Sequence, residues 1–368
     1  MEIWGAMDRG RRIIKRRGAR ERGSRGEKAF PPFPSAPLLP CRLFLLILFL
    51  NVNPVHAEDH LGASFVDFAG YTGCVKLENG ATEVILGHHA GGRVLSYTLN
   101  GVEAIFLDPA HYGWVDGPDK KRADLSGGRF DIGPEHTIPK HPKLWRGSWT
   151  VEITGDRKAR MTSLEDDATG VQLIRDFELD AETSHLSCTQ TIYNVSDEVK
   201  HWGHWSRTFA QGHGICLIPL TPDSRFPKNY VMYGPGSVID FRPDDKHIRE
   251  RDGFLEIFGP PERPKLGMDS HAGWFAYVMR NDLMFVKGYA TYPNRAYGEM
   301  AALTISIWYK DDVVCELEPI GPKENIGSGE RASFTEDWWL VPFDFPSEGA
   351  FIDLEDVKKV VQEVGIKN

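Results

Sequence analysis

Cysteine is scarce in this chain: there are five in 368 residues and none in a CxxC pair. That argues against a structural zinc site, whose thiolates come closely spaced, and no metal or other cofactor is expected. Cys41 stands before the longest apolar run and not after it, which excludes a lipoprotein cleavage site. The other four, Cys74, Cys188, Cys216 and Cys315, permit one or two disulfides in any of three pairings. A chain of this length buries enough core to do without them, so buried free thiols are expected. Long apolar runs are missing too. The longest, LFLLILFL at 43–50, is too short to cross a hydrocarbon layer of ~30 Å. No repeat recurs at a fixed period, so a solenoid is excluded. Positive charge is missing from most of the chain: residues 1–57 hold 11 of the 43 basic and 4 of the 52 acidic side chains, which leaves the remainder at a net −16. Such a surface repels phosphate backbones and excludes nucleic acid as a partner.

Residues 1–57 read as a targeting segment. A basic start, RGRRIIKRRGARERGSR, precedes the apolar run and then Val55-His56-Ala57, the order of a secretory signal with cleavage after Ala57. The expectation is export to the periplasm or the extracellular space with no stable membrane span in the mature form. An anchored helix is the alternative. Beyond it, residues 58–73 lead into one domain over 74–345, and 346–368 form a tail.

Within that domain short runs alternate apolar and polar residues and are rich in β-branched and aromatic types: ATEVILG, GRVLSYTLNG, SWTVEITG, GVQLIRDFELD, SHLSCTQTIYN, LMFVKGYATY and LTISIWYK. Turn signals such as Asn100-Gly101 and Arg280-Asn281-Asp282 separate them. Strands at this density, with no helical patterns between them, predict an all-β antiparallel sandwich. The proline-rich and charged stretch 217–270 reads as a long excursion over one face. LEDVKKVVQEVG places Leu354, Val357, Val360, Val361 and Val364 on one stripe and predicts a short C-terminal helix packed outside the sheets.

The stretch with the most chemistry is HWGHWSRTF, 201–209. In an extended chain Trp202, His204 and Ser206 share one face while His201, Trp205 and Arg207 share the other. An aromatic plate beside an imidazole suits a sugar: the ring stacks on the apolar face of a pyranose and the imidazole moves a proton near pH 7. The alternative is that the tryptophans belong to the core and the histidines satisfy polar edges. Two other segments add to the pattern. GHHAGGRVLSYTLNGVEAIF, 87–106, has a Gly-Gly pair that lets backbone approach closely, then a strand and an Asn-Gly hairpin turn. DVVCELEPIGPKENIGSGERASFTEDWWLVPF, 312–343, has a strand with Glu316 and Glu318 on one face.

The order of these segments, over roughly residues 74–343, resembles the galactose mutarotase-like superfamily, the antiparallel β-supersandwich that includes the aldose 1-epimerases. The resemblance rests on the early GGR-LS-NG hairpin, the central Asn-x-Ser strand running into Gly-His-Trp, and the late Glu-to-Trp segment. It implies a sugar or oligosaccharide ligand. His204 falls where the epimerases keep the histidine that protonates the ring oxygen, and Glu318 where they keep the glutamate that deprotonates the anomeric hydroxyl. Glu316 is the alternative base, since a slip of two residues preserves the face. Arg93 and Arg129 fall on the arginines of the two glycine-rich strands, and Trp202 and Arg207 complete the expected binding set. Arg207 pairs with an acidic sugar or with a buried carboxylate. The second histidine of the epimerases has no counterpart in GGRFDIGPEH, 127–136, where His136 or Glu135 are the substitutes on offer. Its missing acidic residue has Asp223, Asp244 and Asp269 as candidates. Two functions follow from this pattern: an aldose 1-epimerase-like isomerase working by His/Glu acid–base catalysis, or a sugar-binding module without chemistry.

Overall fold

Alternation of apolar and polar residues resolves into antiparallel strands stacked as two sheets. The structure, a computed structural model, describes residues 60–121, 123–235 and 238–366; the expected targeting segment lies outside them. The larger sheet runs in the order Ala63–Phe68, Tyr71–Glu78, Thr82–Gly87, Arg93–Leu99, Gly128–Gly133, Gly203–Gln211, Val314–Lys323, Ile305–Lys310, Lys265–Met268, Val231–Tyr233, Ile239–Asp240, with Val102–Glu103 paired to Arg93–Leu99. The second sheet runs Ile248–Arg251, Phe254–Ile257, Ile215–Pro219, Trp274–Met279, Leu283–Tyr289, Arg331–Pro342, Leu186–Asn194, Val171–Leu179, Lys158–Thr162, Thr150–Gly155. The main core fills the space between them, with Phe130, Ile132 and Leu317 from the first sheet meeting Leu173, Phe285 and Trp338 from the second. This is the all-β architecture that the strand density predicts. Cys74, Cys188, Cys216 and Cys315 are buried free thiols.

The Asn-Gly hairpin forms as its turn chemistry requires: Asn100 and Gly101 both take positive φ, 51° and 79°, joining Arg93–Leu99 to Val102–Glu103. The C-terminal helix, Leu354–Glu363, starts at Asp353, whose side chain accepts hydrogen bonds from the Glu355 and Asp356 amides. Its buried stripe, Leu354, Val357 and Val361, packs on the outer face of the second sheet against Leu217, Ala276 and Val286. Among the described residues no helix is long and apolar enough to cross a membrane.

The stretch 217–270 departs from the expectation of an excursion. It supplies Val231–Tyr233 and Lys265–Met268 to the larger sheet and Ile248–Arg251 and Phe254–Ile257 to the second. Prolines occupy its turns, while the strands between them are only two to four residues long, short enough to hide alternation in the sequence but sufficient to pair.

Candidate functional site

Three adjacent strands of the larger sheet, Gly128–Gly133, Gly203–Gln211 and Val314–Lys323, carry the site, and their register decides which side chains meet. Arg207 stands opposite Arg129, Trp205 opposite Asp131 and Ile320, and Phe209 opposite Glu316. These residues, with Glu318, point away from the second sheet. His204, Ser206 and Thr208 point toward it, opposite Ile132, Phe130 and Gly128. Outer-face position therefore groups Arg129, Asp131, Trp205, Arg207, Glu316 and Glu318.

Charges on that face are buried, because the segment from Pro134 to Trp149 crosses over it. The Gly-Gly pair makes the crossing possible. Gly91 has φ +73°, its amide donates to the Gly147 carbonyl at 2.9 Å, and a Cβ there would sit 2.4 Å from the Trp145 carbonyl oxygen. Trp145 then lies with its ring centroid 3.4 Å from the Arg129 guanidinium carbon and 5.0 Å from that of Arg207. The same segment brings in Glu135, whose Oε2 lies 2.5 Å from Lys265 Nζ, and His141.

His141 was not among the expected residues, since nothing in its sequence surroundings has a period. Its Nε2 lies 2.9 Å from Asp131 Oδ1 and its Nδ1 2.7 Å from the Pro139 carbonyl. Both partners are acceptors, so both ring nitrogens must donate and the ring is an imidazolium. Burial alone would lower its pKa; the Asp131 charge and hydrogen bond outweigh that and push it up to about 9. Asp131 is held below its ordinary value by the same pair and by Arg207, against the effect of burial.

Arg207 is the hub. Its Nε is 3.2 Å from Glu316 Oε1 and 3.1 Å from Glu318 Oε1, and Asp131 and Glu135 lie 3.8 Å from its Nη1 and Nη2. One N–H cannot serve two carboxylates. Glu316 takes the Arg207 hydrogen bond, and Glu318 is left with the Ser306 hydroxyl, which stands opposite it across the strands. Glu318, fully buried, has its pKa pushed up to about 8 by burial first and by the Glu316 charge second, so it holds its proton at neutral pH. The ion-pair distance to Arg207 by itself suggests an ionised Glu318. The shared N–H and the full burial weigh more, because a second buried carboxylate this close to Glu316 gains too little from a guanidinium already engaged.

His204 is corrected by this geometry. The expected His204–Glu318 pair is not assembled, because the two residues sit on opposite faces of the sheet. The His204 ring is fully buried, lies between Phe130 and Phe334 at centroid distances of 5.7 Å each, and bonds the Ala332 carbonyl through Nε2 at 3.0 Å. Burial pushes its pKa down to about 4, so it is neutral. Its unpartnered Nδ1 borders a cavity of about 10 Å³, room for roughly one water. Trp202 follows it to the core side, where its Nε1 donates to the Thr169 carbonyl at 3.1 Å. Arg93 is likewise used up: its three guanidinium nitrogens donate to the carbonyls of Ala90 and Ser126 and to the Tyr71 hydroxyl, stapling loops together. His136 is exposed at the rim, stacked on Tyr233 at 6.4 Å. Asp269 is buried, accepting from the Ser224 hydroxyl and the Arg225 amide to hold a turn. A depression of about 560 Å³ lies on another part of the sheet beside Asn79, Ser96 and Glu103 and contains none of the charged cluster.

No family model matches the chain, and no curated protein matches it. Solved structures do. A galactose mutarotase-like protein from Lactobacillus casei superimposes over 73% of this chain and 100% of its own, with a TM-score of 0.51 at 11% identity. The chain has the galactose mutarotase-like fold. Further matches are a galactose mutarotase-like protein from Clostridium acetobutylicum (TM-score 0.49, 11% identity, 77% of this chain and 99% of that one) and the galactose 1-epimerase of Lactobacillus acidophilus (TM-score 0.45, 13% identity, 77% and 99%). At such identities a likeness carries the fold alone, and residue roles must come from this chain. In this chain the large sheet turns toward its outer face three carboxyl groups, two guanidiniums and a tryptophan, with an imidazolium delivered by the crossing segment.

Proposed function

We propose that this protein binds a carbohydrate on the outer face of its larger sheet, beneath the segment that carries Trp145. The observation that supports this most is a cluster of unmet hydrogen-bonding atoms on that face. Arg129 Nε and Nη1, Trp205 Nε1 and the Tyr233 hydroxyl are buried on this face without hydrogen-bond partners. Each such atom costs roughly 1–3 kcal/mol when left unmet. A polyhydroxylated ligand offers donors and acceptors in alternation, and Trp145 and Trp205 offer rings for its apolar face. Isothermal titration with aldoses and oligosaccharides tests the reading. Binding that weakens in Trp205→Ala and Arg207→Met is expected; no heat with any sugar would refute it.

A second reading, interconversion of anomers, has its own support in Glu318, whose proton comes and goes near neutral pH. In its ionised form Glu318 would take the proton of the anomeric hydroxyl as the C1–O5 bond breaks, and a water would protonate the ring oxygen, because both N–H groups of His141 are held by Asp131 and the Pro139 carbonyl. Ring closure on the other face of C1 reverses both transfers. Exchange NMR on free aldoses separates the two readings: Glu318→Gln should slow catalysed exchange by about 10² or more if the chemistry occurs. The basic and apolar leader supports a place of action outside the cytoplasm, which sequencing the mature N-terminus would test by cleavage after Ala57.

A further inference from the structure

Four cations meet at the site, and three are matched. Arg207 has Glu316 at 3.2 Å, Lys265 has Glu135 at 2.5 Å and His141 has Asp131 at 2.9 Å. Arg129 is the exception. It is 3% exposed, makes no ion pair among the described residues, and has no partner for Nε or Nη1. Arg207 stands opposite it across the strands, and that repulsion adds to burial in lowering its pKa to about 9, against the attraction of Glu316 and Asp131. A buried guanidinium without a carboxylate is among the costlier groups a protein can hold. Trp145 lies over the guanidinium, its ring centroid 3.4 Å from the guanidinium carbon, and leaves Nε and Nη1 without hydrogen-bond partners. Trp145 itself is half-buried, so solvent reaches the ring that roofs Arg129.

Resting on the carbohydrate reading above, we propose that Arg129 is the anion subsite of this face and that the ligand is an acidic sugar, a uronic acid whose carboxylate accepts from Arg129 Nε or Nη1 while its hydroxyls meet Glu318, Ser306 and Tyr233. A carboxylate fits because it supplies the counter-charge that Asp131, Glu135 and Glu316 already give to the other three cations. A neutral aldose leaves the charge on Arg129 unanswered.

Isothermal titration compares D-galacturonate and D-glucuronate with D-galactose and D-glucose on the wild type and on Arg129→Met, which keeps an unbranched side chain under Trp145. The uronates should bind roughly 10- to 100-fold more tightly than their neutral counterparts, the usual worth of a charge-assisted contact. Arg129→Met should erase that preference, costing the uronates roughly 10-fold or more beyond whatever the neutral sugars lose. Arg129→Lys, which keeps the charge and loses the planar edge, should retain part of it. Equal affinity for uronate and neutral sugar in the wild type would overturn the acidic-ligand proposal and leave carbohydrate binding standing. The same holds for a preference that survives Arg129→Met. Absence of binding by all four sugars and their oligomers would refute both. The wild-type comparison needs no variant to fold, so the proposal stays falsifiable if Arg129→Met does not.

Discussion

Replacing Glu318 with glutamine probes the central electrostatic claim about the site, that two carboxylates compete for one guanidinium N–H and one of them keeps its proton. The Glu318 carboxyl rises from 4.5 to about 8 on folding. Between those values the native state holds a proton that the unfolded chain has released, so wild-type stability falls as pH rises through that window. Above about 8 the native carboxyl ionises as well; the slope then vanishes and the full penalty remains. A shift of this size corresponds to roughly 5 kcal/mol as a ceiling, and relaxation around Arg207 reduces it to a few kcal/mol. Glutamine keeps the shape of the protonated acid and cannot ionise. Glu318→Gln should therefore match the wild type within about 1 kcal/mol near pH 5 and exceed it by roughly 2–5 kcal/mol near pH 9. Urea denaturation of both proteins at the two pH values reads this directly, and taking the difference cancels every other titrating group. If the gap between variant and wild type is the same at pH 5 and pH 9, Glu318 is ionised throughout and the competition argument fails.

Other consequences are independent of that one. His204→Ala removes a ring packed between Phe130 and Phe334, so it should lower stability by about 2–4 kcal/mol in thermal or urea melts while leaving sugar affinity unchanged; loss of affinity without loss of stability would put His204 back among the ligand-binding groups. The same buried ring should make the protein acid-sensitive. Its pKa falls from 6.5 to about 4 on folding, so the unfolded state binds the extra proton between those values. Wild-type stability should drop as pH falls through that window by a few kcal/mol more than in His204→Phe. Gly91→Ala places a Cβ against the Trp145 carbonyl at positive φ, which should cost more than about 1 kcal/mol and weaken sugar binding through a displaced Trp145, with Gly101→Ala as a control of similar strain but no such contact. Lys287 is fully buried beside Glu336 at 3.1 Å and donates to the Thr208 hydroxyl at 2.7 Å. Lys287→Met should cost about 3–5 kcal/mol by stranding Glu336, and adding Glu336→Gln should recover much of it.

Much of the site was legible because period-two alternation is local. GRFDIG, GHWSRTFAQ and VCELEPIGPK each sort their side chains by parity, so Glu316 and Glu318 had to share a face, Trp205 had to go with Arg207, and Trp202 with His204. The hairpin at Asn100-Gly101 and the stripe of the last helix were legible for the same reason, since backbone sterics and a 3.6-residue period act over a few residues. Parity does not say which face is covered. That depends on the second sheet, whose Phe334 and Trp338 arrive from more than a hundred residues downstream and claim the side bearing His204. His141 was illegible altogether, because it belongs to an aperiodic crossing whose path is set by a glycine 50 residues upstream, and Asp131, its partner, looked like an ordinary strand residue. Composition and alternation by themselves determined an all-β chain, its turn positions and which residues travel together on each strand. Only the tertiary structure decided which face became core, which carboxylate keeps its proton, and that Arg129 is left without an anion, because those outcomes rest on distances between strands that the chain brings together from far apart.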